Sequence, residues 1–156
     1  MIRHAGLLAL RLGGRWRGAL IEGPSGIGKS DLALRALEQG FSLVADDRVL
    51  MFVSGDRLFG RAPDPLAGLI EARGVGILPQ PALAFCEVVA LIRCQARAEA
   101  VERLPEVEST IILGHSVAVF DIWPLEPAAP GKLRRILDAA ANKRIKVDRA
   151  ASPPRG

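Results

Sequence analysis

The eight residues Gly23 to Ser30, GPSGIGKS, fit the phosphate-loop pattern G-x-x-x-x-G-K-[ST] without a mismatch. Such a motif constrains the fold because it works only between a strand and a helix. Both flanks qualify: an apolar run precedes it, and SDLALRALEQG follows as a helix with Leu34 and Leu37 in its stripe, stopped by Gly40. Gly23, Gly26 and Gly28 let successive backbone N–H groups turn inward as an anion nest, with Pro24, Ser25 and Ile27 completing the loop. The helix adds its positive N-terminal end. Lys29 is then set to reach β- and γ-phosphates, and the Ser30 hydroxyl to take a coordination position on Mg²⁺. Nucleotide binding is the firmest expectation from the residues alone.

The chain has 156 residues, the size of one ordinary domain. Residues 6–12 and 17–22 read as strands joined by a turn at Gly13-Gly14. FSLVA is a short buried strand running into Asp46-Asp47, and 48–62 reads as a hairpin turning at Ser54-Gly55-Asp56. FCEVVALIRC and STIILGHSVAVFDIWPL supply further strands. After the break EPAAPGK, Leu133, Ile136, Leu137, Ala140 and Ala141 recur at helical spacing, with Pro130 near the start. The sum is an α/β fold with a mixed sheet and no regular βαβαβ succession.

Composition excludes several classes. Aromatics are 4% of residues with no Tyr, which disfavours a base-stacking nucleic-acid platform. No apolar run reaches the roughly 18 residues a membrane span needs. The opening MIRHAGLLALRLGGRW reads as a strand rather than a signal peptide, so a cytoplasmic location is expected. Cys86 and Cys94 lie in one apolar segment, about 26 Å apart if extended, and are expected as buried reduced thiols. The net charge of +4 resides at the C-terminal end, where Lys143, Arg144, Lys146, Arg149 and Arg155 face one acid, Asp148. That end reads as a solvated, frayed terminus.

A phosphate loop alone transfers nothing; acids must complete the Mg²⁺ shell and handle the acceptor's proton. Asp46 and Asp47 follow Ser30 by 16 and 17 residues, at the end of the next strand. They reach the loop's edge of the sheet if the two strands run parallel. Adjacent strand residues face opposite ways, so only one of the pair is expected at the nucleotide unless the strand has ended. Glu71, in GLIEARGVGI, is the single acid of an otherwise apolar run, followed by Arg73 and two glycines. His4 sits in the first strand. His115, between strands, reads as structural.

RHAGLLAL, GALIEGPSGIGKSDLALRALEQGFSLVADDRV, GLIEARGVGI and PGKLRRILDAAANKRIK together resemble, in order and approximate spacing, the catalytic domain of bacterial HPr kinase/phosphorylase. The resemblance covers about residues 2–146 and implies a P-loop fold related to phosphoenolpyruvate carboxykinase. Residues 1–146 would be the catalytic domain and 147–156 a basic, flexible tail. The short length is similar to family versions that carry only this domain.

The resemblance further implies ATP-dependent phosphorylation of a serine of HPr, the phosphocarrier of the sugar phosphotransferase system, with regulation of carbon and nitrogen metabolism. It implies a reverse phosphorolysis releasing pyrophosphate, no nucleic-acid or membrane partner, and a homo-oligomer, hexameric in full-length members. In its terms Ser30 and Glu71 hold Mg²⁺ and Lys29 neutralises phosphate charge. Asp47, or else Asp46, takes the acceptor's proton, and His4 lies beside that carboxylate. Arg103, in ERLPEVE, matches the family's DRLG arginine loosely and would stabilise charge on the transferring group. One departure stands out: where the family reads close to PVRPGR, this chain has PAAPGK, Pro127 to Lys132. Ala129 replaces one Arg and Lys132 another, and Lys lacks the bidentate fork of Arg. The kinase half is expected to survive and the phosphorylase half to be weakened. The competing expectations are a nucleotide-sensing module without transfer, and a small-molecule kinase, for which no Arg-rich lid is evident.

Overall fold

The computed structural model describes residues 1–141; the expected tail 147–156, and residues 142–146 of the expected domain, lie outside the described residues. The first strands are β1 (Ile2–Arg3), β2 (Gly6–Leu12) and β3 (Arg15–Glu22), followed by helix α1 (Lys29–Leu37) and β4 (Ser42–Ala45). Then come β5 (Val49–Ser54), β6 (Arg57–Arg61), β7 (Leu69–Ala72), β8 (Gly76–Pro79) and β9 (Cys86–Cys94). The hairpin β10 (Glu108–Ile112) and β11 (His115–Ile122) and helix α2 (Ala129–Ala141) complete the described chain.

Nine strands form one mixed sheet, ordered β1-β5-β6-β9-β3-β2-β4, and β7-β8 form a separate ribbon. The sheet forks at β9. Its first residues, Cys86 and Glu87, pair with β6, whereas Ala90 to Cys94 pair with β11, beyond which lies β10. Strands β3, β9 and β11 are mutually parallel. Strand β2 is antiparallel to both β3 and β4, so β4 runs the same way as β3. The chain therefore leaves β4, β3, β9 and β11 along one edge of the sheet. The condition on Asp46 and Asp47 is met.

Period-two alternation divides the core between the sheet's faces. Leu8, Leu10, Ala19, Ile21, Ala90 and Ile92 face the helices, while Leu7, Ala9, Leu20 and Leu91 face the curled β5–β6 and β10–β11 side, which Val88 joins because the β3–β9 register shifts past Val89. Helix α1 buries Leu32, Ala33 and Ala36. Leu34 and Leu37, expected in the stripe, only flank it as half-buried side chains, because the face turned to the sheet is the one bearing Leu32, Ala33 and Ala36. Helix α2 starts at Ala129 with Pro130 next, and Leu133 and Leu137 are fully buried, as the spacing indicated. Leu133→Ala is expected to cost about 2–5 kcal/mol. In urea unfolding this lowers the midpoint at an unchanged slope.

The turns follow local chemistry. Ser54 pairs with Arg57, so the β5–β6 turn is only Gly55-Asp56, both left-handed (φ 51° and 66°), narrower than the expected Ser54-Gly55-Asp56. Leu113-Gly114 makes a similar turn between β10 and β11, and His115 opens β11. His115 Nδ1 meets the Leu113 carbonyl and Nε2 the Asp56 carbonyl, a structural tie between the two hairpins. Residues 69–79 form a hairpin that the sequence did not announce. Cys86 and Cys94 are buried and unbridged at the two ends of β9. Burial pushes the Cys86 thiol up to about 12 and the Cys94 thiol up to about 11. Neither should be alkylated by iodoacetamide in the native protein at about pH 8, and both should react once it is unfolded, as mass spectrometry would record.

Candidate functional site

The phosphate loop leaves β3 at Glu22 and enters α1 at Lys29. Gly26 and Gly28 adopt φ of 84° and 119°, conformations that side chains resist. At Gly28 space is denied as well: a Cβ there would stand 2.8 Å from Leu125 Cδ2 and 3.3 Å from Pro124 Cγ. Gly28 is thus required by conformation and by space, Gly26 by conformation alone. The Ile27 N–H donates to the Pro24 carbonyl (3.2 Å) and the Leu32 N–H to that of Gly28 (2.9 Å), closing loop and first turn. Lys29 Nζ folds over the loop and donates to the carbonyls of Gly23 (2.6 Å) and Pro24 (3.0 Å).

The acids come from three elements. Strand β4 ends at Ala45, so the alternation that would separate Asp46 from Asp47 has already lapsed, and both line the same cavity. Ser30 Oγ donates to Asp46 Oδ1 at 3.4 Å, and the backbone N–H of Glu71 donates to Asp46 Oδ2 at 2.9 Å. Burial raises the Asp46 pKa above the usual carboxylate value, opposed by the hydrogen bond from Glu71; the Asp47 charge adds to the rise. Asp47 takes φ 74°, which Asp tolerates better than most residues. Its carbonyl accepts from the Ala5 N–H at 3.0 Å, tying its turn to the bend that carries His4. His4, which lies between β1 and β2 rather than within a strand, brings Nδ1 to 3.6 Å from Asp47 Oδ1. Arg48 Nε approaches the other oxygen of Asp47 at 3.7 Å. Buried Ile70 anchors β7 in the helix-side core, which brings the Glu71 backbone to Asp46 and leaves the Glu71 side chain exposed.

One cavity of about 470 Å³ collects these groups: His4, Ser25, Gly26, Gly28, Lys29, Ser30, Asp46, Asp47 and Glu71 all line it. That volume lies in the range of small-molecule sites. Arg73 and Leu125 line it too. No motif assigns Arg73 a role or singles out Leu125; Leu125 follows the phosphate loop by about a hundred residues, and no spacing rule connects them. Arg103 is not brought in. It lies between β9 and β10, outside the residues lining the cavity. Among the described residues no group of three His, Cys, Asp or Glu side chains is arranged to hold a metal. None of their helices is long and apolar enough to cross a membrane.

Known proteins share this fold. A solved structure, the Hpr(Ser) kinase/phosphatase from Coxiella burnetii, superposes with a TM-score of 0.75 at 27% identity, over 97% of this chain and 95% of that one. HPr kinase/phosphorylase from Peptoclostridium acidaminophilum is 52% identical over 62 residues, 39% of this chain and 20% of the relative. The Variovorax paradoxus protein of the same name is 47% identical over 62 residues, 39% of this chain and 19% of the relative. The matched stretch thus spans about a fifth of the length of these curated relatives. The model of the HPr Serine kinase C-terminal domain matches residues 16–152. With nearly the whole chain matched and the mixed α/β fold in common, the protein belongs to the HPr serine kinase C-terminal domain family.

Proposed function

We propose that this chain is a Mg²⁺- and ATP-dependent protein serine kinase whose substrate is HPr. The observation that carries the reading is the single cavity in which Lys29 and Ser30 of the phosphate loop meet Asp46 and Asp47. The names of the relatives, HPr kinase/phosphorylase, and of the structural neighbour support the acceptor.

The residues fit both groups. The loop backbone is bare and left-handed at Gly26 and Gly28, the form in which its N–H groups can turn toward a phosphate chain. The hydroxyl of Ser30 beside the carboxylate of Asp46 is a hard-oxygen donor set suited to Mg²⁺, which takes one or two carboxylates and completes its shell with phosphate oxygens and water. Glu71 lines the same cavity and is the second candidate donor. The lining carries Asp31, Asp46, Asp47 and Glu71 against Lys29 and Arg73, a net charge of −2. A polyphosphate is repelled by that lining unless a divalent cation accompanies it. Mg²⁺ held by Ser30 and Asp46 would supply that neutralisation. Removing it with EDTA should weaken ATP binding by about 10–100-fold in calorimetry; Mg²⁺-independent binding would contradict the reading.

The chain's own groups do the rest. Lys29 exchanges the Gly23 and Pro24 carbonyls for phosphate oxygens, and the loop N–H groups hold the chain of phosphates in place. Asp47, with His4 beside it, accepts the proton of the incoming serine hydroxyl and returns it in the reverse direction. Asp46, fixed by Ser30 and Glu71, serves the metal side.

Support for a weakened phosphorylase half comes from the α2 start. Ala129 is fully buried and Lys132 Nζ is engaged by Glu126 Oε2 at 2.7 Å, so neither offers phosphate the fork of an arginine. Serine-phosphorylated HPr with inorganic phosphate should release pyrophosphate far more slowly than the forward reaction runs. Phosphorolysis at a comparable rate would refute this half. The partner set is completed by further copies of the chain in a homo-oligomer.

A further inference from the structure

The strand order gives the cavity two sides. Strand β4, bearing Asp46 and Asp47 at its end, lies two places from β3 on one side; β9 and β11 lie on the other. A phosphate chain lying in the loop with its terminal group toward the acids would extend away from β4, and Leu125, which follows β11, is part of the cavity lining. There the chain leaving β11 makes a turn closed by the Glu126 N–H donating to the Trp123 carbonyl at 3.2 Å. Leu125 stands on this turn, 52% exposed yet lining the cavity, with its side chain against the bare backbone of Gly28.

An exposed leucine on a loose loop would fold away; this one is held. The guanidinium of Arg35, on α1, donates to the carbonyl of Pro124 and, at 3.2 Å, to that of Glu126, the residues on either side of Leu125. Its Nε donates to Asp31 at 3.0 Å, one helical turn back, which fixes the fork itself. A lysine has no such planar array of donors. One arginine therefore ties the helix that begins at the phosphate loop to the turn that carries Leu125.

We propose that Leu125 is the apolar platform on which the base of the donor nucleotide rests, with Arg35 as its positioning residue. The inference rests on the nucleotide reading of the cavity and adds to it the preference for a nucleoside triphosphate over a bare polyphosphate. Apolar contact with an aromatic base favours donors that carry one, while the phosphates are served by the loop.

Calorimetric titrations with Mg²⁺-ATP and with Mg²⁺-pyrophosphate test it. Leu125→Ala should weaken ATP about tenfold and leave pyrophosphate unchanged. Arg35→Gln should give the same split through a loosened turn, whereas Lys29→Ala should weaken both ligands. Leu125 is exposed, so its truncation leaves the fold intact, and a melting curve checks this. Equal loss of ATP and pyrophosphate in Leu125→Ala, or no loss of ATP, overturns the platform while leaving the nucleotide site standing. Failure of the wild-type protein to bind either ligand overturns the nucleotide reading and the platform with it.

Discussion

Lys29→Ala is expected to lower phosphate transfer to HPr by about 10²–10³-fold, with nucleotide affinity reduced as well. The cavity lining contains two cations, Lys29 and Arg73, among four carboxylates, and Lys29 alone belongs to the loop. Charge that develops on the transferring group has no equivalent partner once that ammonium is gone. The same ammonium spans the Gly23 and Pro24 carbonyls at 2.6 and 3.0 Å, so its loss also relaxes the loop. Lys29→Arg should not rescue, because the broad guanidinium does not fit where the slim ammonium folds over the loop. Steady-state assays with HPr would show both variants impaired and the wild type active.

Asp47→Asn and Asp46→Asn should fail in different ways. Asp47 is the more open of the two, held at its backbone by Ala5 and approached by His4 at 3.6 Å and Arg48 at 3.7 Å, both beyond hydrogen-bond distance, which leaves its carboxylate available to a hydroxyl. Without that base, turnover should fall by about 10²–10⁴-fold while ATP still binds. Asp46 has both oxygens engaged, by Ser30 and by the Glu71 N–H. Removing its charge should raise the Mg²⁺ concentration needed for half-maximal rate and leave a larger residual turnover at saturating Mg²⁺. A Mg²⁺ titration of both variants separates the roles, and a reversed pattern would exchange them.

The local parts of this molecule could be read from the chain. Glycine spacing in Gly23–Ser30 announces a loop because each glycine answers a backbone need, met here at Gly26 and Gly28. The α2 periodicity and the Gly55-Asp56 turn are likewise set by near neighbours. What escaped was set by distant ones. Alternation along β4 says that Asp46 and Asp47 diverge, but the strand ends one residue earlier, and only the three-dimensional edge decides that. The β7–β8 ribbon carries too many glycines and too little alternation to declare itself, although its packing through Ile70 is what sets Glu71 against Asp46. The clamp of Arg35 on the turn at Leu125 joins residues about ninety positions apart, with no pattern in between. Arg103 shows the converse, since a short motif match did not bring it to the cavity.

Incubation with Mg²⁺ and ATP labelled at its terminal phosphate, in the presence of HPr, puts the convergence of loop and acids to its plainest trial. Label should pass to a serine of HPr with the wild-type chain and fall to background with Asp47→Asn. Firm nucleotide binding without any transfer to HPr would contradict the kinase reading and leave a phosphate loop that only holds its ligand.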